Sequence, residues 1–234
     1  MKLYGIDGCS GGWVVAAKDG TSLDIRFQII EALDGLFAGA AKGEALVAID
    51  IPIGLPNASS RECDRDARRF LGQPRGSSVF PAPCRCCLGA GSYEEACARN
   101  IAAAGVAISR QCFGILPKIA IVDALMSRER QQYIREAHPE VAFATLAGHP
   151  MVHPKRRRDG VDERLAVLHT TGIALKLPDI QEWRRRLGRG LAHVDDLIDA
   201  AACVITAERI YRGEHRTFGG NTHDGRELRM EIVA

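Results

Sequence analysis

Two single aspartates, Asp7 and Asp50, each end a short apolar run in the first part of the chain. Asp7 closes the run LYGID, and Asp50 closes the run ALVAID. Burying an unpaired carboxylate is unfavourable, so such residues are usually paired, cap a turn or bind a cation. A turn role fits each one alone, because Asp7 precedes Gly8 and Asp50 precedes a loop with Pro52. Two of them on neighbouring strands favour a shared cation site.

Three more aspartates open the most regular helical segment, residues 195–212. Asp196 and Asp199 are spaced i,i+3, and Asp195 and Asp199 are spaced i,i+4, so each pair shares a helix face. Acids in a first helical turn also offset the helix dipole, which accounts for one or two of the three. The alanines at 200–202 allow this helix to lie close to a sheet. The choice between Asp195 and Asp196 as the ligand stays open.

A third acidic group lies in the segment REAHPEVAF, where Glu136, His138 and Glu140 are candidates for metal binding or proton transfer. Glu140 also fits a structural role as an acid in the first turn of a helix. Carboxylates from separate elements suit Mg2+ and Mn2+, which prefer oxygen ligands. Two such ions about 3.5–4 Å apart can activate a water and stabilise the leaving oxygen in phosphodiester hydrolysis.

These patterns predict a metal-dependent catalytic centre built from five acids. The predicted metal ligands are Asp7, Asp50, Asp196 and Asp199, and Glu136 is predicted to ligate an ion or to orient the attacking water. The expected cofactor is Mg2+ or Mn2+.

The elements that must position these residues follow an α/β pattern. Strands are predicted at 2–7, 13–17, 22–29, 45–50, 131–136 and 227–233. Helices are predicted at 31–41, 62–71, 93–107, 119–130, 139–146, 161–171, 180–187 and 195–212. We expect a single domain over 1–234, with a mixed five-stranded sheet flanked by helices and a large helical insertion at about 51–130.

Composition excludes several classes of protein. Hydrophobic residues make up 46% of the 234, charged residues make up 26%, and the net charge is +2, which are values of a globular chain. No apolar run approaches the roughly 18 residues of a membrane span. With no export signal visible, we expect a cytoplasmic protein with eight reduced cysteines. The sequence leaves the oligomeric state open.

Seven segments resemble, in the same order, a family of predicted nucleases with a ribonuclease H-like fold, domain-of-unknown-function family 429. They are GIDGCSGGW (5–13), AIDIPIGLP (48–56), CDRDAR (63–68), SSVFPAP (77–83), SRQCFGILPKI (109–119), EAHPEVAF (136–143) and DDLIDAAA (195–202). Ser10 stands where the family turn commonly carries arginine, and Ile121 stands where it usually carries an acid. The resemblance implies a ribonuclease H-like sheet and metal-dependent nuclease chemistry.

The resemblance also implies a set of substrate-binding residues outside the acidic cluster. They are Arg75, Ser109, Gln111, Lys118, Lys155 and Arg164. Each of them also fits a structural hydrogen-bonding role or a solvated surface charge.

The predicted function is therefore a divalent-metal-dependent phosphodiester hydrolase, and two alternatives remain beside it. One is a non-catalytic binding module for an anionic ligand or a partner. The other is a hydrolase of a small phosphorylated metabolite, because the insertion could cover the acidic centre. Nucleic acid is indicated only by the basic runs 155–158 and 184–189, which lack interleaved aromatic residues and also fit a solvated face.

Three other motifs give weaker indications of function. The turn at 8–12 matches G-x-S-x-G, but a strand-like segment follows it where a nucleophile elbow requires a helix. Cys84 and Cys87 have the spacing of one half of a zinc site, and a second pair is missing. The chain contains no phosphate-binding loop of the form GxxxxGK[ST].

Overall fold

A computed structural model describes residues 1–20 and 22–234. Its contacts divide the chain into two compact units. The first unit comprises 1–50, 133–216 and 233–234, and the second comprises 51–132 and 217–232.

The described residues form seven strands and eight α-helices. The strands are β1 (Lys2–Cys9), β2 (Gly12–Asp19), β3 (Arg26–Ile30), β4 (Ala45–Ile49), β5 (Ile134–Glu136), β6 (Thr217–His223) and β7 (Arg229–Val233). The helices are α1 (Asp34–Ala41), α2 (Glu62–Leu71), α3 (Tyr93–Ala104), α4 (Arg110–Leu125), α5 (Pro139–Ala147), α6 (Arg158–Thr170), α7 (Leu177–Leu187) and α8 (Val194–Arg212).

The first unit is built on a five-stranded mixed sheet with the order β3-β2-β1-β4-β5. β1 pairs antiparallel with β2, and β2 pairs antiparallel with β3. β4 is parallel to both β1 and β5. Every residue of β4 is buried, as expected for a parallel strand with both faces covered. The expected mixed sheet flanked by helices is therefore present.

Helix α8 packs directly on β1, and a glycine makes that approach possible. A Cβ at Gly5 would overlap the α8 backbone, including the Cys203 carbonyl carbon at 2.7 Å. The helix presents small residues at 200–202, which are fully buried. Its buried stretch runs unbroken from Leu197 to Glu208. The prediction that this alanine-rich helix lies close to the sheet is confirmed.

The second unit contains α2, α3, α4 and, except for Val233, the two-stranded sheet of β6 and β7. A buried aspartate, Asp224, holds the loops of this unit together. Its carboxylate accepts hydrogen bonds from the backbone N–H groups of Leu55 and Leu228, each at 3.0 Å. Arg85 forms ion pairs with both Asp123 and Asp224. The unit is thus held by charge-assisted hydrogen bonds as well as by apolar packing.

Several boundaries differ from those predicted. A helix was predicted at 119–130, but α4 begins at Arg110 because the Ser109 side chain caps it, and it runs through Pro117. The strand β6 was not predicted, since its sequence TFGGNTH lacks the apolar residues of a typical strand. None of the helices in the described residues combines the length and apolar character that a membrane span needs.

The contact between β1 and α8 yields a stability prediction. We expect Gly5→Ala to lower the free energy of unfolding by about 3 kcal/mol or more, because the added methyl group meets helix backbone that cannot rotate away. Urea denaturation followed by circular dichroism measures the change.

Gly35→Ala is the matched control, because a Cβ at Gly35 in α1 meets no atom within 4 Å. We expect this control to lose no stability. Equal effects of the two substitutions would contradict the close packing of α8 on β1.

Candidate functional site

Asp7, near the C-terminal end of β1, and Asp50, directly after β4, lie side by side on two adjacent parallel strands. Ile6 is paired with Ile49, and the Asp50 N–H donates to the Ile6 carbonyl at 2.9 Å, so the next residues along both strands are neighbours. Adjacent strands are about 4.8 Å apart. Burial and the charge of Asp50 raise the pKa of Asp7 well above its ordinary value. Burial likewise raises the pKa of Asp50.

Helix α8 contributes Asp199 to the same place. Side chains alternate along β1, so Asp7 points to the same sheet face as Gly5, against which Ala200 packs. Asp199 is only 1% exposed, and its Oδ1 has no hydrogen-bond partner among the described residues. Burial raises its pKa to about 6, although Lys155 opposes the shift. Asp199 also raises the pKa of Asp7, as expected for carboxylates that approach each other on one face of the sheet.

The structure separates the two other aspartates of α8 by their contacts. Asp196 accepts the His193 N–H at 2.7 Å and so caps the helix. Asp195 accepts a hydrogen bond from Arg156 Nε at 3.2 Å. Both lie at the margin of the cluster, and Asp196 contributes to the raised pKa of Asp7. Their roles as metal ligands stay predictions.

Lys155 brings a positive charge into the acidic cluster. Its Nζ donates to Asp199 Oδ2 at 2.5 Å and lies 3.9 Å from Asp195 Oδ2. Burial alone would lower the pKa of Lys155, but the charges of Asp199, Asp7 and Asp50 outweigh it and raise the pKa. The side chain remains 39% exposed, so part of it is in contact with solvent while its ammonium group contacts the carboxylates.

The loop that carries Lys155 is fastened to helix α6 at several points. Glu163 accepts the N–H groups of Val152 and His153 at 2.7 and 2.9 Å. Arg164 donates to the His153 carbonyl at 3.1 Å. A Cβ at Gly160 would overlap the Pro154 carbonyl, so the loop also lies directly against the helix. Lys155 is therefore presented by an ordered loop rather than by a free surface segment.

Arg164, a predicted substrate-binding residue, has the contacts of a positioning residue. Its side chain is 1% exposed and donates to Glu140 Oε1 at 3.0 Å from Nε and 2.5 Å from Nη2. The second oxygen of Glu140, Oε2, is buried and has no hydrogen-bond partner among the described residues. Glu140 also raises the pKa values of Asp50 and Asp199, so it borders the cluster.

Glu136, the fifth predicted catalytic acid, points away from the aspartates. It pairs in register with Ile49, one residue before Asp50. Side chains in register on neighbouring strands share a face, and successive residues alternate, so Glu136 and Asp50 lie on opposite faces. The structure brings Glu140 and His138 towards Asp50 instead, and His138 lowers the pKa of Asp50 against the larger effect of burial.

The donor atoms of the cluster fit a hard divalent cation. The three facing aspartates offer only carboxylate oxygens, and no described residue donates a hydrogen bond to the buried Asp199 Oδ1. Within the described part of the chain, no three His, Cys, Asp or Glu side chains already form a ready ligand set. Mutual repulsion of carboxylates works against such a set until a cation offsets their charge.

Four predicted substrate-binding residues belong to the second unit. Arg75 begins a short 3-10 turn, Ser109 caps α4 by accepting the Cys112 N–H, and Gln111 and Lys118 lie on α4. Their contact with a substrate stays a prediction.

Two cysteines of the second unit, Cys84 and Cys87, have the character of buried structural thiols. Cys87 donates to the Asn100 side chain at 3.4 Å, and burial raises its pKa to about 12. Burial also raises the pKa of Cys84. A zinc ligand must be a thiolate, which a raised pKa disfavours. In the first unit no motif of the sequence singled out Cys203, which lies one turn after Asp199 on the same face of α8. Burial raises the pKa of this thiol, and the charges of the three aspartates add to the effect.

One protein family matches the chain over residues 5–233 and is described as "Protein of unknown function (DUF429)". Because the match covers almost all of the sequence, the chain belongs to this family. No curated protein and no solved structure matches it. The family membership indicated by the motifs is confirmed, and the family description names no activity.

The raised pKa of Asp199 yields a pH-dependent prediction for the metal-free protein. A folded-state pKa of about 6, against an ordinary value of 3.8, means that the native state holds this proton more tightly than the unfolded chain. The contribution of Asp199 to stability therefore falls as the pH rises from about 4 to about 6. An asparagine cannot titrate, so we expect Asp199→Asn to gain stability over the wild type across this window, by up to about 3 kcal/mol.

Urea denaturation in the presence of a chelator, repeated across the window, measures the difference. Asp24→Asn is the control, because Asp24 is exposed in the segment before β3. A difference between Asp199→Asn and the wild type that stays constant with pH would contradict the burial of this charge.

Proposed function

We propose that this protein is a divalent-metal-dependent hydrolase of phosphodiester bonds. The observation that carries the proposal is the meeting of Asp7, Asp50 and Asp199, from two adjacent strands and one helix. Asp199 Oδ1 is buried there and has no hydrogen-bond partner in the described structure. Acids held together at such a cost in repulsion and desolvation are typical of sites that bind a cation.

The arrangement of the first sheet supports the finer part of the proposal, a ribonuclease H-like fold. Three antiparallel strands are followed by a helix and two parallel strands, in the order β3-β2-β1-β4-β5. That succession agrees with the ribonuclease H-like topology implied by the sequence motifs, in which acids at the ends of the first and fourth strands face a late helix.

The aspartates and Lys155 have separate roles in the proposed hydrolysis. Asp7, Asp50 and Asp199 would hold the Mg2+ or Mn2+, which supplies an activated water and positive charge at the phosphate. Lys155 would donate a hydrogen bond to a phosphate oxygen from the exposed side of the cluster. In the reaction a water oxygen bonds to phosphorus, the bond to the ester oxygen breaks, and that oxygen leaves with a proton.

Nucleic acid is the proposed substrate, and the arginines beside Lys155 favour it over a small phosphorylated metabolite. Arg156, Arg157 and Arg158 have side chains that are 81%, 70% and 74% exposed. Each forms an ion pair with an aspartate, but all three guanidinium groups remain accessible. Exposed arginines next to a reactive centre suit a chain of phosphates.

The first test is calorimetric titration of the purified protein with Mn2+, in parallel with the double variant Asp7→Asn/Asp50→Asn. We expect saturable binding by the wild type and its loss in the variant, because asparagine supplies no charge for the ion. Cleavage of single-stranded and double-stranded DNA and RNA is then assayed with Mg2+ or Mn2+.

We expect cleavage by the wild type to fall by about a thousandfold in either single variant, Asp7→Asn or Asp50→Asn. Asp24→Asn again serves as the control and should keep full activity. Metal binding without cleavage of any nucleic acid, but with hydrolysis of a small phosphate ester, would favour the metabolite hydrolase. Absence of both binding and hydrolysis would favour a non-catalytic binding module.

A further inference from the structure

We propose that Lys155 takes the place of a second metal ion, so that the centre holds one divalent cation and one ammonium group. This inference rests on the metal-dependent hydrolase proposed above and specifies the composition of its site. It departs from the two-ion centre that the acidic residues suggest in the sequence.

The two oxygens of Asp199 are in different situations. Oδ2 accepts the Lys155 ammonium at 2.5 Å, whereas Oδ1 is buried without a partner in the described structure. Asp199 can therefore bridge two cations at once, with Lys155 on one oxygen and a metal ion on the other. An ion that bound Oδ2 would meet the repulsion of the ammonium group beside it unless Lys155 moved away.

Displacement of Lys155 is opposed by the way its loop is held. The side chains of Glu163 and Arg164 bind the backbone on the N-terminal side of Lys155, and the Arg157 N–H closes a turn onto the Pro154 carbonyl at 3.0 Å. Arg164 is itself fixed by the buried Glu140. The backbone on both sides of Lys155 is thus held in place, and its ammonium group reaches Asp199 from this fixed loop.

The charges of the centre balance with one divalent ion. The three facing aspartates, counted without Asp196 at the margin, carry three negative charges when they are ionised. Lys155 interacts electrostatically with all three and supplies one positive charge. One divalent ion supplies the other two, so the substrate-free centre becomes neutral, whereas a second ion would leave it with two excess positive charges.

The test measures the number of bound ions and does not depend on activity. Metal-free protein is titrated with Mn2+ by calorimetry, and the electron paramagnetic resonance spectrum of the loaded protein distinguishes an isolated Mn2+ from a coupled pair. We expect the wild type to bind one Mn2+ per chain with the spectrum of an isolated ion.

Lys155→Met removes the ammonium group and keeps much of the side-chain length. We expect this variant to bind Mn2+ about tenfold more tightly, or to take up a second ion, because the charge of Lys155 no longer opposes the metal. Lys155→Arg keeps the charge and should bind one ion with an affinity close to that of the wild type. Lys42→Met, the same change at an exposed position after α1, should behave as the wild type.

The outcomes separate this inference from the proposed function. Binding of two Mn2+ ions by the wild type would overturn the role of Lys155. So would a Lys155→Met variant that binds one ion with an unchanged or weaker affinity. Either result would leave the proposed metal-dependent hydrolase intact. Absence of any Mn2+ binding by the wild type would overturn both. The wild-type ion count tests the inference even where Lys155→Met does not fold.

Discussion

Repulsion among aspartates that share a partly dehydrated site is the constraint on which the first unit depends. Asp7 and Asp50 cannot move apart, because they follow directly on paired residues of two hydrogen-bonded strands. Asp199 cannot retreat either, because the helix that carries it packs on β1 without a side chain between the two backbones. The rigid sheet and helix therefore hold together charges that would otherwise separate, and they leave the supply of positive charge to residues outside the sheet.

The contacts around the cluster supply and position that positive charge. The loop between α5 and α6 delivers one lysine, and the buried pair of Glu140 and Arg164 secures the loop. Breaking a buried ion pair leaves an uncompensated charge, which costs far more than the pair contributes. The pair therefore helps to fix geometry, because it holds the loop from which Lys155 reaches Asp199.

The sequence predicted the sheet well because its strands are signalled locally. The apolar runs that end at Asp7 and Asp50 are strands, and the neighbouring positions of these acids follow from ordinary parallel pairing. The helix α2 was predicted with the observed bounds, since its amphipathic pattern is clear. Glu136 shows what the sequence leaves undetermined, because a short strand of three residues does not reveal which face of the sheet its acid will share. The contact between Lys155 and Asp199 joins residues 44 positions apart, and no local pattern encodes it.

The division of the chain into two units has a consequence for its synthesis. The second unit begins at Ile51 but includes 217–232, while the first includes Val233, which forms a bridge with Ala137. The polypeptide thus passes between the units four times, and neither is a continuous segment. As the chain emerges from a ribosome, residues 51–132 cannot complete the second unit until β6 and β7 have been synthesised. Folding of both units is therefore completed only after nearly all of these residues have been made, and no single cut in the chain would release either unit intact.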